Sequence, residues 1–114
     1  MCNTGIKHDL NKPRPGLVIS GFANALQAVT DVGTFGAQKY TDYGFLDVPN
    51  GIGRYTDAMW RHYFEECMGH EIDAESNLLA AAHTAWNALA RLELMLRDKK
   101  PGEAPVNFDF EVKT

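Results

Sequence analysis

The sequence predicts an all-α fold: a small three-helix domain with an extended N-terminal arm and a short extended C-terminal tail, assembled as a helical homo-oligomer. Three observations lead there. Apolar residues recur every three or four positions in three separate stretches, clusters of Gly and Pro divide those stretches, and strict apolar–polar alternation is confined to residues 106–112. Three helices of such length form a thin bundle whose apolar faces are generous for a monomer, so burial between subunits is expected to complete the core.

Taken in chain order, residues 1–18 form the arm, because Gly5, Pro13, Pro15 and Gly16 interrupt any regular helix or ladder. The helical domain spans 19–97. Its first helix runs from Ser20, a plausible cap, to about Tyr40, with Phe22, Ala25, Leu26, Val29 and Val32 on one face. A loop follows over 41–53, marked by Gly44, Pro49, Asn50, Gly51 and Gly53. Its Tyr43, Phe45 and Leu46 are expected to fold back over a core or a ligand. The second helix covers about 54–68, with Tyr55, Ala58, Met59, Tyr63 and Met68 as its apolar side, and stops at Gly69. Residues 73–76 offer caps for the third, whose Leu78, Leu79, Ala82, Trp86, Leu89, Leu92 and Leu96 make a broad stripe to about Arg97. The tail, 98–114, breaks at Pro101-Gly102 and then alternates as a short strand would.

Composition bounds the function. At 114 residues the chain is one domain, and 45% hydrophobic with 23% charged residues is the balance of an ordered globular protein. No apolar run approaches the ~20 residues of a membrane span and the first residues lack the apolar core of a signal peptide, so no membrane association and a cytoplasmic location are expected. Cys2 and Cys67 are expected to be free thiols. The formal charge of −4 argues against duplex nucleic acid as a partner. A basic pocket for a small ligand remains compatible with it, since Lys7, Lys12, Arg14, Lys39, Arg54 and Arg61 precede the acidic run of Glu65, Glu66, Glu71, Asp73 and Glu75.

Four constellations carry chemistry. In the arm, Lys12 and Arg14 suit phosphate oxygens, against the plain alternative of a solvated terminus. At the end of the first helix, Lys39 and Tyr40 offer a cation and a stacking ring. Gly33 and Gly36 nearby, each costly in a helix by ~1 kcal/mol, are also explained by close helix packing. On the second helix, Arg54, Asp57 and Arg61 share a stripe beside His62. The same residues would equally form a salt-bridged solvent face. On the third, His83 and Asn87 are one turn apart beside Trp86, which fits a base stacked on the indole and read by the amide. A satisfied core histidine is the alternative there.

Metal chemistry has less support. Glu65, Glu66, Asp73 and Glu75 are the candidate Mg²⁺ ligands, but they bunch at one helix end and the loop after it, whereas phosphoanhydride cleavage needs carboxylates converging from facing helices. Cys67 and His70 lack a second ligand pair for zinc.

Residues 5–14 (GIKHDLNKPR), 35–40 (FGAQKY), 54–62 (RYTDAMWRH), 73–76 (DAES) and 83–87 (HTAWN) together resemble the N-terminal domain family of dATP/dGTP diphosphohydrolases, with the motifs in the same order from Gly5 to Leu96. The resemblance implies a helical domain that recognises a purine nucleotide, of a kind often encoded by phages. Two positions depart from it: Ala80 stands where the family commonly has His, and Asn77 where Gly is usual. Loss of that His would weaken catalysis more than binding.

Two functions are therefore expected in competition. In the first, the chain binds a purine nucleotide or nucleotide-derived signalling molecule between subunits, without turnover and without a required cofactor, and acts as a sponge for a host defence signal. Lys12, Arg14, Lys39, Arg54 and Arg61 hold phosphates, Tyr40 and Trp86 stack, and His62, His83 and Asn87 bond the base or ribose. In the second, it hydrolyses dATP or dGTP with Mg²⁺, and His62 or His83 transfers the proton. A module serving assembly alone is the third reading.

Overall fold

Pro15 opens a helix inside the stretch expected to be an extended arm, because its ring presets the helical φ and its missing N–H costs nothing in a first turn. The computed structural model describes residues 5, 6, 8 and 10–98, and within these four α-helices form instead of three. They are α1 (Pro15–Gly21), α2 (Ala23–Lys39), α3 (Gly51–Cys67) and α4 (Ala80–Arg97), with a one-turn 3₁₀ helix at Gly44–Asp47. The alternating stretch at 106–112 lies outside the described residues.

The expected helix over 20–40 is thus two helices bent at Phe22, whose φ of −114° and ψ of 27° leave the helical well. Phe22 N–H still donates to Val18 and its carbonyl still accepts from Leu26 N–H, so the break is a kink and not a loop. Ser20 caps nothing; its hydroxyl donates to the Leu17 carbonyl within α1.

α3 starts earlier than the spacing implies, after Asn50 in the left-handed region at φ 53°. Its end is as expected: Gly69 takes φ 90°, its N–H reaches the Glu66 carbonyl, and His70 N–H reaches that of Glu65, the paired bonds that close a helix around a left-handed residue. Residues 73–76 do not cap α4. They turn the chain through an antiparallel bridge between Ile72 and Leu79, and Ala80 N–H donates to the Glu71 carbonyl before α4 begins.

The packing corrects the expected apolar faces. α4 buries Ala80, Ala82, His83, Asn87 and Ala90, whereas Leu79, Leu89, Leu92 and Leu96 remain exposed. On α3, Tyr63 and Met68 are likewise exposed, together with Trp60 and Phe64. The reason is close approach: a Cβ placed on Gly51 would lie 2.5 Å from Leu94 Cδ1, so these two helices meet through small side chains that a hydrophobicity stripe undervalues. Arg91 Nε crosses the same seam to Thr56 Oγ1 at 2.8 Å. α2 joins through Val32 and through Gly33, where a Cβ would stand 3.0 Å from Trp86 Nε1; at Gly36 a Cβ would meet nothing within 4 Å.

This contrast sets two expected outcomes. Gly51→Leu is expected to lower stability by ~1–3 kcal/mol through overpacking. Gly36→Ala is expected to raise it by about 0.5–1 kcal/mol, because the helix gains a better former at no steric cost. Thermal unfolding of both variants checks the pair, and a stable Gly51→Leu protein would refute the close seam.

Candidate functional site

The 40–50 loop has to be held somewhere, and Tyr55 of α3 holds it by donating its hydroxyl to the Phe45 carbonyl at 2.9 Å. Phe45 and Tyr55 then meet Trp86 of α4 edge-on, at centroid distances of 5.4 and 5.6 Å. This aromatic knot pins the loop to α3 and α4, and beside it lies a cavity of about 950 Å³ bounded by α2, the loop, α3 and α4. The volume lies within the ~300–1,000 Å³ of small-molecule sites.

Seven of the residues singled out from sequence line this cavity: Tyr40, Arg54, Asp57, Arg61, His83, Trp86 and Asn87. Helical spacing explains the grouping, since Arg54, Asp57 and Arg61 follow one stripe of α3 while His83, Trp86 and Asn87 follow one of α4. Among the described residues neither arginine forms an ion pair, and Asp57 and Arg61 do not close the bridge their spacing allows. Two guanidiniums without carboxylate partners at a cavity wall are suited to an anionic ligand.

The remaining candidates lie elsewhere. Lys39 is tied to Glu75 at 2.7 Å and sits over the Tyr40 ring, outside the cavity lining. Lys12 and Arg14 are exposed at the start of α1 and do not line it either. His62 stands behind the wall, stacked on His83 with centroids 4.5 Å apart.

That imidazole stack is served by the loop before α4. Asp73 accepts from Ser76 through both the backbone N–H and the hydroxyl at 2.9 Å, and Ser76 Oγ lies 2.6 Å from His83 Nε2. Asp73 is also 3.9 Å from His62 Nδ1 and 3.7 Å from His83 Nε2. Burial pushes both histidines below their ordinary pKa. The neighbouring His83 adds to this at His62, while Asp73 opposes it at both rings. Burial alone would raise Asp73, but the hydrogen bonds from Ser76 and the nearby imidazoles outweigh it and hold the carboxyl below its usual range.

The four carboxylates considered for Mg²⁺ are not brought together. Glu65 bonds His70, Glu75 bonds Lys39, and Asp73 faces Ser76 and the histidines. No group of three or more His, Cys, Asp or Glu is placed to hold a metal ion among the described residues.

Sequence reasoning missed Ser76 as a partner of His83, although both were in view, because only the reversal of the chain at the 72–79 bridge brings them together. It also missed Tyr55, taken for core. Phe45 had been legible as an aromatic in a Gly-rich loop.

The family described as dATP/dGTP diphosphohydrolase, N-terminal, matches residues 2–103, and the chain belongs to it. No curated protein matches the chain, and no solved structure does. Asn77 takes φ 60°, the left-handed region that Asn tolerates best after Gly. No helix among the described residues is long and apolar enough to cross a membrane.

The histidine pair has a consequence for stability. Both rings bind a proton less readily in the folded chain than at the ordinary value of 6.5, so their contribution is fully present above about pH 6.5 and is lost as the pH falls below it. Asp73, depressed from 3.8, adds its own loss only at lower pH. Thermal unfolding between about pH 7.5 and pH 5 is expected to show a falling midpoint, and a flatter profile in the His62→Gln/His83→Gln variant.

Proposed function

We propose that this member of the dATP/dGTP diphosphohydrolase N-terminal family binds a purine nucleotide in the cavity between α2, the 40–50 loop, α3 and α4. The observation that carries the reading is the lining itself: Arg54 and Arg61, without carboxylate partners among the described residues, beside Tyr40, Trp86 and the buried Asn87. Arginine forks match phosphate oxygens, aromatic faces take a base, and a buried amide orients it.

Sequestration is the reading favoured here: the nucleotide or nucleotide-derived signal is held and released intact, as a phage-encoded sponge for a host defence signal would require. The carboxylates support it, since Glu65, Glu75 and Asp73 are each engaged with a different partner. Hydrolysis of dATP or dGTP is the second reading, favoured by the family's description and by His83 at the cavity wall with His62 stacked on it. Mg²⁺ does not fit the donor set of the described residues, so no step is derived through it.

A homo-oligomer is part of the same proposal. Among the described residues no large side chain is completely buried, and Leu89, Leu92 and Leu96 stand exposed over an apolar groove between α2 and α4. A chain of this size needs that surface covered to gain a sizeable core.

Incubation with purine nucleotides and cyclic or ADP-ribose-type signals, with Mg²⁺ present, followed by heat denaturation and mass spectrometry, tests the reading. Intact recovery of a depleted nucleotide is expected; conversion to monophosphate and pyrophosphate would replace sequestration by hydrolysis. Arg61→Ala is expected to weaken binding by about tenfold or more, as loss of a charge-assisted contact does. Light scattering is expected to give a multiple of the 12.7 kDa chain mass, and a monomer would contradict the assembly.

A further inference from the structure

We propose that Ser76 and Asp73 set His83 as the tautomer protonated on Nε2, so that His83 Nδ1 and Asn87 Oδ1 meet the cavity as two acceptors and select guanine over adenine. The inference rests on the nucleotide-binding reading above and adds the base and the residues that choose it.

The tautomer follows from counting protons around one hydroxyl. Ser76 Oγ has three neighbours: Asp73 Oδ2 at 2.9 Å, His83 Nε2 at 2.6 Å and Leu78 N–H at 3.2 Å. A hydroxyl offers one proton and two lone pairs, and a carboxylate accepts only. Asp73 therefore takes the hydroxyl proton and Leu78 N–H fills one lone pair. The second lone pair accepts from His83, which places the imidazole proton on Nε2. In the neutral ring Nδ1 is then an acceptor.

Asn87 is oriented by a separate bond. Its Nδ2 donates to the His83 carbonyl at 2.8 Å, and since a carbonyl only accepts, the amide nitrogen must face the helix backbone and Oδ1 must face away. Among the described residues neither His83 Nδ1 nor Asn87 Oδ1 has a protein partner, and neither is sealed from solvent, since no buried side-chain polar atom is left unpartnered. Both residues line the cavity, one helical turn apart on α4.

Two acceptors presented from one face of α4 complement a base edge with two adjacent donors. Guanine has one, the N1–H and the 2-amino group. Adenine presents a single amino donor next to the N1 lone pair, which would face an acceptor and stay unpaired in a partly dry site. Such a mismatch is the costly kind, because a buried polar group loses water and gains no partner. Ser76 touches no ligand in this scheme; it is a positioning residue that acts through His83.

Calorimetric titration of the full chain with dGTP, dITP and dATP tests the inference. The expected order is dGTP first, dITP weaker for want of the 2-amino group, and dATP weaker than dGTP by about tenfold or more. Ser76→Ala, whose fold is checked by thermal unfolding, is expected to shrink the dGTP/dATP ratio toward one, and Ser76→Thr, which restores the hydroxyl, to recover it. A merely structural role would weaken both nucleotides together and leave the ratio unchanged. Binding of dATP as tight as dGTP by the unaltered chain overturns the base assignment alone, whereas binding of no purine nucleotide overturns the parent reading with it.

Discussion

The close contact between α3 and α4 is the constraint on which the rest depends. Gly51 admits Leu94, Ala80, Ala82 and Ala90 keep the α4 face low, and Arg91 reaches Thr56 across the seam. Because the helices meet through small groups, polar side chains of intermediate size fit at the same interface, and His83 and Asn87 are buried there at 8% and 5% exposure. Buried polar groups need partners, and the 72–79 turn supplies one: Ser76, itself fixed by Asp73, bonds His83, while Asn87 bonds the helix backbone. A conventional leucine seam would leave no room for this network.

The cavity is the other consequence of that economy. With α3 and α4 joined tightly, α2 comes close to α4 where Gly33 meets Trp86, and the 40–50 loop completes the cavity wall. The aromatic knot of Phe45, Tyr55 and Trp86 forms part of the cavity wall. Arg54 and Arg61 face this space together with Asp42 and Asp57, so the lining offers cations and carboxylates side by side on a chain whose net charge is −4. A chemically equipped wall is thus built mostly from two helices, which position side chains more rigidly than loops do.

Much of this wall was legible because helical spacing translates directly into a shared face. Arg54, Asp57 and Arg61, and likewise His83 and Asn87, reach the same cavity for that reason. The leucines misled because periodicity reports which residues lie together and not which side a neighbour covers; Leu89 and Leu92 line the groove between α2 and α4 and stay about half exposed. Position in the chain was no guide to proximity for the charged groups either: Lys39 pairs with Glu75 across the fold. The kink at Phe22 and the reversal at residues 72–79 depend on backbone geometry for which single residues give little signal. Asn50 and Asn77 are the partial exceptions, as both occupy left-handed positions that their type favours.

Photolabelling with an azidopurine nucleotide, followed by peptide mapping, tests the central claim most directly. Label is expected in peptides carrying residues 40–45 or 83–87 and is expected to vanish when excess unlabelled nucleotide competes. Label confined to the exposed aromatic face of Trp60, Tyr63 and Phe64, or label that competitor does not displace, would contradict a purine-nucleotide site in the cavity.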